Sequence, residues 1–215
     1  MSQLVVRCFS ISVDGFGAGP AQSLADPMGQ GGMALHGWVL KTKTFQAMHG
    51  AGSGGTEGVD EGFAADGFRD LGAWVLGRNM FGPVRGDWPD EAWRGWWGDE
   101  PPYHCPVFVL THYPRPDLVM AGGTTFHFVT EGLVAALTRA KAAAGGKDVR
   151  LGGGVATLRE AFGGQHIDEA HLAVSPVLLG RGEAVFQGLD LPALGYQVTR
   201  QVAGEGANHI VIGRA

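Results

Sequence analysis

The chain has 215 residues, 45% of them hydrophobic and 17% charged, with a formal net charge of −5. That composition supports one sizeable core and excludes intrinsic disorder. No basic run stands out, which removes the electrostatic footprint of nucleic-acid binding, and no apolar run has the length of a membrane span.

Glycine is over-represented, with 37 residues gathered in clusters. Such clusters are expected where the backbone turns tightly or approaches a ligand closely. The two cysteines, Cys8 and Cys105, form neither a C-x-x-C motif nor a disulfide framework. Cys8 lies in an apolar run and reads as a small packed hydrophobe. The opening stretch MSQLVVRCFSISVDG lacks the apolar core and cleavage site of a signal peptide. A reduced, cytoplasmic compartment is the expectation.

Leu4 to Val13 alternates in a Val-, Phe- and Ile-rich pattern and reads as a buried first strand ending at Asp14-Gly15. Met33 to Met48 carries Leu35, Trp38, Val39, Phe45 and Met48 at helical spacing, and His49 to Gly58 is a glycine-rich loop. Asp60 is placed to cap a short helix containing Phe63, Ala64, Phe68 and Leu71. Ala73 to Leu76 reads as a central strand. Residues 82 to 106 hold Trp88, Trp93, Trp96 and Trp97 and predict a long ordered loop, since tryptophans do not belong in a solvated tail.

Val107 to Thr111 and Phe126 to Val129 are further strands. The Ala-rich run Leu133 to Ala144 predicts a helix closed by Gly145-Gly146. Val149 to Leu151 is a strand, Val155 to Phe162 a helix, and Asp168 to Val174 a strand. Leu194 to Val202 and His209 to Ile212 predict an antiparallel hairpin around Gly204-Glu205-Gly206. Strands alternate with helices until the final strands. The order predicts an α/β fold on a mainly parallel sheet with an antiparallel edge, as a single unit over residues 1–215.

The most informative motif is VRLGGGVATLREAF, Val149 to Phe162. A strand delivers Gly152, Gly153 and Gly154 to the first turn of a helix, where a phosphate can reach backbone N–H groups and the helix dipole. Thr157 adds a hydroxyl in the same turn. The spacing differs from G-x-G-x-x-G, and a tight strand-to-helix connection explains the glycines equally well. The second motif is WVLGRNMFG, Trp74 to Gly82. It brings Arg78 to a strand end, either as a bidentate phosphate ligand that favours NADP over NAD or as a solvated rim residue. The third is FVLTHYPRP, Phe108 to Pro116, with Thr111 and His112 after a strand. Ligands in open α/β sheets bind at the carboxyl ends of strands, so convergence of these ends outweighs any one of them. The eight histidines show no paired ligand spacing, so no metal site is expected, and His171, inside a strand pattern, reads as structural.

SISVDGFGAGP (Ser10 to Pro20), VLGRNMF (Val75 to Phe81), VFVLTHYPR (Val107 to Arg115), the glycine motif and IDEAHLAVSPVLLGRGEAVF (Ile167 to Phe186) occur in this order over nearly the whole chain. In this the chain resembles the dihydrofolate reductase-like superfamily. Within it, the chain resembles the RibD C-terminal group, the reductase domain of riboflavin biosynthesis enzymes. The resemblance implies a three-layer αβα sandwich on a mixed sheet, NADPH as hydride donor and a homodimer. It implies adenosine and phosphate contacts at Gly77, Arg78, Asn79, Thr111, His112, Gly153, Gly154, Val155 and Thr157. It puts the nicotinamide near Ser10, Gly17, Ala18 and Leu151, beside Gly152, and the substrate by Asp14, Phe16 and the loop that includes Trp38.

Departures are informative. The hydroxyl often found two positions after the arginine is replaced by Met80, and no acidic residue lies between Asp26 and Glu57 where folate reductases carry a carboxylate. The fused deaminase signatures H-x-E and P-C-x-x-C are absent. The expected activity is therefore a standalone NADPH-dependent reductase of a small heterocycle, resembling 5-amino-6-(5-phosphoribosylamino)uracil reductase. The alternatives are a dihydrofolate or pteridine-type reductase and a non-catalytic nucleotide-binding protein. Asp14 is the candidate proton relay, with a plain Asp-Gly turn residue as its competing reading.

Overall fold

The computed structural model describes residues 2–50, 54–82 and 86–215, so the glycine-rich loop and the tryptophan-rich stretch each include residues outside the description. The chain runs β1 (Leu4–Ser12), α1 (Lys43–Met48), α2 (Val59–Asp66), β2 (Leu71–Gly77), α3 (Arg78–Phe81) and β3 (Pro106–Leu110). It continues through β4 (Leu118–Val119), β5 (Thr125–Val129), α4 (Leu133–Ala143), β6 (Asp148–Leu151), α5 (Val155–Gly163), β7 (Glu169–Ser175), β8 (Tyr196–Ala203) and β9 (Asn208–Arg214).

These strands form one sheet in the order β4-β5-β3-β2-β6-β1-β7-β9-β8. Neighbours from β5 to β7 are parallel, whereas β4, β9 and β8 join antiparallel. The pattern follows from the residues. Strand β2, LGAWVLG, reads as a continuous apolar run because both faces of a central parallel strand are covered. The edge strand β8 is exposed from Gln197 to Gln201 and carries polar residues that discourage further pairing.

One face of the sheet is covered by α4 and α5. Leu133, Ala136, Leu137 and Ala140 form the buried stripe of α4, and Val155, Leu158, Ala161 and Phe162 that of α5. They pack on Leu4, Val6, Val75, Val149 and Leu151. Leu158 is fully buried, so its truncation to alanine costs about 2–5 kcal/mol. The other face holds two separate clusters. Trp74, Leu76, Phe81, Val107 and Phe126 pack beneath the tryptophan-rich stretch. Trp38, Ala64, Ala173 and Ala207 pack beneath α2 and the segment before it.

The single helix expected over 33–48 is replaced by two 3₁₀ turns, Gly32–His36 and Val39–Lys41, and the short α1. Thr42 breaks the run. Its backbone is extended, and its hydroxyl accepts from the Phe45 N–H to start α1 anew. Asp60 is not the cap of α2. Gly58 holds that position, and the carboxylate of Glu205, from the β8–β9 turn, accepts the Val59 and Asp60 N–H groups. Leu71 belongs to β2 rather than to the preceding helix. The two-residue strand β4 and the one-turn helix α3 carry no periodic signal and were not expected.

Strand β1 carries a bulge between Val6 and Phe9, where its pairing with β7 slips by one residue and Cys8 takes φ 54°. The amide freed at the bulge is taken by a side chain: Cys8 N–H donates to His171 Nδ1 at 3.1 Å. His171 Nε2 lies 2.9 Å from His209 Nδ1, and His209 Nε2 lies 2.9 Å from Asp60 Oδ1. The Gly206 N–H donates to the other Asp60 oxygen. His171, His209 and Asp60 are all buried, and Phe63 stacks on both imidazoles. His171 is thus structural, as its strand position suggested.

Candidate functional site

Because β3, β2, β6 and β1 are adjacent and parallel, their carboxyl ends open along one side of the sheet. The ends deliver Thr111, Gly77–Asn79, Leu151–Gly154 and Ser10–Ser12 to one region. Direct contacts join them. The Gly77 N–H donates to the Gly153 carbonyl at 2.6 Å. A Cβ on Gly77 would stand 2.6 Å from Thr157 Oγ1 and 3.1 Å from the Gly154 nitrogen. A Cβ on Gly17 would stand 2.7 Å from Val155 Cγ2, which brings the loop after β1 against the start of α5.

The triplet glycines have different reasons to be glycine. A Cβ on Gly152 would lie 2.3 Å from Leu76 Cδ2, so that position is fixed by packing. Gly153 has φ 107°, a region that side chains avoid, and its peptide to Gly154 is cis. Gly154 has φ −77°, and a Cβ there would meet nothing within 4 Å. It is the N-cap of α5, with no side-chain cap, and the first turn contains no acidic residue. The helix therefore presents its N-terminal N–H groups and the positive end of its dipole beside open space, which suits a phosphate. The packing and cradle readings divide between neighbouring glycines.

Arg78 opens α3, and its guanidinium lies 3.7 Å over the Trp88 ring and donates to the Gly86 carbonyl. Tyr113 approaches the same group at 5.3 Å. The Asn79 carbonyl accepts from the Trp96 indole, and the Phe81 carbonyl from the Trp93 indole. Arg115 is buried and donates to the carbonyls of Glu91 and Trp93. The tryptophan-rich stretch is thereby held down on α3 by hydrogen bonds as well as by apolar packing. Thr111 uses its hydroxyl to close the turn with Tyr113, and His112 is exposed.

Two expected residues have other work. Trp38 is only 2% exposed, and its indole N–H donates to Ser10 Oγ at 2.9 Å. It is a core residue beneath the site and offers no face to a substrate. Asp14 accepts the Leu179 and Gly180 N–H groups and thereby ties the end of β1 to the segment after β7. The Ser12 hydroxyl, together with those amides, holds its carboxyl below the ordinary carboxylate range. Both carboxylate oxygens are engaged by backbone amides of the facing segment, so the turn-residue reading fits Asp14 better. Phe16 sits nearby, its N–H on Ser12 Oγ and its backbone bridged to Ala184. Ser10, Gly17 and Ala18 are buried, with Ala18 accepting the Glu183 N–H.

Phe9 carries no site signal in the sequence, and Met80 stands out there only as a missing hydroxyl. A Cβ on Gly153 would lie 3.0 Å from Phe9 Cε2 and 3.8 Å from Met80 Sδ, so both side chains border the triplet. The bulge in β1 shifts the facing of Phe9, and strict alternation cannot register that shift. His36 lies in the first 3₁₀ turn. Its Nδ1 is buried without a hydrogen-bond partner among the described residues, and burial lowers its pKa. Among the described residues no group of His, Cys, Asp or Glu is arranged to hold a metal, and no helix is long and apolar enough to cross a membrane.

The family model for the RibD C-terminal domain matches residues 4–207. The chain belongs to that family. A putative riboflavin biosynthesis protein from Shewanella sp. PV-4 superposes with a TM-score of 0.58 at 20% identity, covering 100% of this chain and 99% of that one. A diaminohydroxyphosphoribosylaminopyrimidine deaminase/5-amino-6-(5-phosphoribosylamino)uracil reductase from Thermotoga maritima superposes with a TM-score of 0.52 at 11% identity. It is covered over 57% of its length by 100% of this chain. Dihydrofolate reductase from Enterococcus faecalis, complexed with NADP(H), aligns over 66% of this chain and 74% of that one at 18% identity and a TM-score of 0.41. No curated protein sequence matches the chain. The structure has the expected architecture, a mixed, mainly parallel sheet between helices with an antiparallel C-terminal hairpin.

Proposed function

We propose that this chain is an NADPH-dependent reductase that delivers hydride to a small heterocycle, with an aminouracil of the riboflavin type as the leading substrate class. The observation that carries the reading is the open, uncapped start of α5 at Gly154, bordered by Thr157 from the first turn of α5 and by Gly77 from the neighbouring strand end. Gly153, Gly154, Val155 and Thr157 would hold the dinucleotide phosphates by backbone N–H groups and one hydroxyl. Gly77, Arg78, Asn79, Thr111 and His112 would flank the adenosine. Ser10, Gly17, Ala18, Leu151 and Gly152 would border the nicotinamide. The cofactor supplies the hydride, and the protein supplies orientation and exclusion of water.

Within this reading the indole of Trp38 fixes the Ser10 hydroxyl, because an oxygen that accepts the indole N–H turns its own proton elsewhere. Trp38 acts as a positioning residue from the core. Phe9 and Met80 supply apolar walls beside Gly153. Asp14 holds the substrate-side turn closed, and Phe16 lines it.

The test is a titration of protein fluorescence with NADPH and with NADH. Trp74 lies close to Gly152 and gives an internal donor for energy transfer. Saturable quenching by NADPH at submillimolar concentration, stronger than by NADH, is the expected result. Absence of any NADPH response overturns the reading. A following screen of aminouracils, pteridines and small carbonyls identifies the acceptor. The commitment of Asp14 to backbone amides favours a second reading, a nucleotide-binding protein without turnover. NADPH binding with no oxidation across the screen would select it.

A further inference from the structure

A cavity of about 350 Å³ lies between α2 and the sheet, away from the strand ends that form the candidate nucleotide site. Its walls come from Arg7 on β1, Phe63 and Asp66 on α2, Glu169 and His171 on β7, Thr199 and Arg200 on β8, and Val211 on β9. The volume suits a small metabolite. Arg7 lies within the β1 bulge and Ser10 follows it, so the cavity opens at that irregularity rather than at the carboxyl end of β1.

Both long strands that bring cations to the cavity are bulged beside it. The β1 bulge falls at Arg7–Cys8, and the β8 ladder slips by one residue between Val198 and Arg200. Bulges re-aim side chains, and two of them facing one cavity is a specific arrangement. The charges are unbalanced in a readable way. Glu169 is paired with Arg7 at 3.3 Å, and Asp66 with Arg69 at 2.7 Å. Arg200 lies 5.0 Å over the Phe63 ring, and no carboxylate is within ion-pair distance of it among the described residues. Arg7 keeps Nε buried without a hydrogen-bond partner among the described residues. The His171 wall contributes no charge of its own, since both ring nitrogens are occupied within the buried relay.

We propose that this cavity binds a small phosphate- or carboxylate-bearing molecule, its oxyanion held by the Arg200 guanidinium with Arg7 behind it and its apolar part resting on Phe63 and Val211. A planar guanidinium matches either head group in a two-point contact. The Arg7–Glu169 pair opens or stays according to whether the anion competes with the half-exposed Glu169 carboxylate.

The experiment titrates the full chain with inorganic phosphate and, separately, with malonate, at constant ionic strength adjusted with sodium chloride. Heat of binding and the shift in thermal midpoint are read for the wild type, Arg200→Gln and Arg78→Ala. Arg200 is exposed on the edge strand, so its substitution leaves the fold intact, which the anion-free midpoint verifies. The expected result is saturable binding of at least one anion, weakened about tenfold or more in Arg200→Gln and unchanged in Arg78→Ala. Which anion binds names the head group. No saturable response in the wild type overturns the proposal. So does binding that survives Arg200→Gln, including binding lost only in Arg78→Ala, which would belong to the strand-end site.

Discussion

The Cys8 backbone N–H donates to Nδ1 of His171 across 3.1 Å, and this one bond sets the tautomers of two buried histidines. An Nδ1 that accepts leaves the proton on His171 Nε2, which donates to His209 Nδ1. His209 then carries its proton on Nε2 and donates to the Asp60 carboxylate. The relay runs in one direction, from a bulge amide to a carboxylate, with both rings neutral.

Acid should therefore unfold the protein through His171. Burial first, then His209 and the arginines Arg150, Arg7 and Arg200, push its pKa down from 6.5 to about 3. Between those values the unfolded chain binds the proton and the folded chain does not. The stabilisation is fully present above pH 6.5 and drains away as pH falls toward about 3. Urea midpoints measured across this range should decline steeply. In His171→Gln, whose amide can accept from Cys8 and donate to His209 without titrating, the decline should flatten. A wild-type midpoint that is level across the range would contradict this account.

Removing the carboxylate end should be costly at neutral pH. Asp60→Ala leaves the His209 Nε2–H and the Gly206 N–H without an acceptor inside the core. The expected loss is about 2–5 kcal/mol in equilibrium urea unfolding. Asp60→Asn, which keeps one acceptor oxygen, should lose less. Equal losses for both variants would show that shape, rather than hydrogen bonding, is what matters at this position.

The glycine triplet can be divided by mutation. Gly154→Ala places its methyl in open space at a favourable φ, so the thermal midpoint should stay near the wild type while NADPH affinity drops. Gly153→Val forces a β-branched residue to φ 107° with Phe9 at 3.0 Å, and its strain of about 1–3 kcal/mol should lower the midpoint as well. Undiminished NADPH binding in Gly154→Ala would remove the cradle from the cofactor site.

Arg78→Ala should weaken NADPH binding by about 1.5–3 kcal/mol, the value of one charge-assisted hydrogen bond, with a much smaller effect on NADH. The same change removes the cation from the Trp88 face, so the emission spectrum should also shift without cofactor. Equal losses for the two cofactors would remove Arg78 from the 2′-phosphate role.

Much of the fold was legible because central strands and packed helices leave unambiguous patterns. Leu4 to Val13, Val149 to Leu151 and Leu133 to Ala144 were placed within a residue or two of β1, β6 and α4. The failures share a cause. Met33 to Met48 carries helical spacing, yet Thr42 restarts the backbone through a local side-chain bond that periodicity does not register. Asp60 resembles a cap, yet Glu205, far along the chain, supplies it. At the site, the strand ends were readable as glycine and arginine motifs. The placement of Phe9, the burial of Trp38 and the engagement of Asp14 depend on a bulge and on loop contacts with no local signature.

Among the described residues strand β1 pairs only with β6 and β7, whose first residues lie beyond position 147. During synthesis, the apolar segment from Leu4 to Ser12 therefore emerges with no partner and waits while more than half of the chain is made. Sequence-distant pairing of this kind slows folding and leaves strand edges open to other chains. Ribosome-bound fragments ending before β6 should thus engage general chaperones through this first strand, and release should follow once β6 and β7 have closed on either side of it.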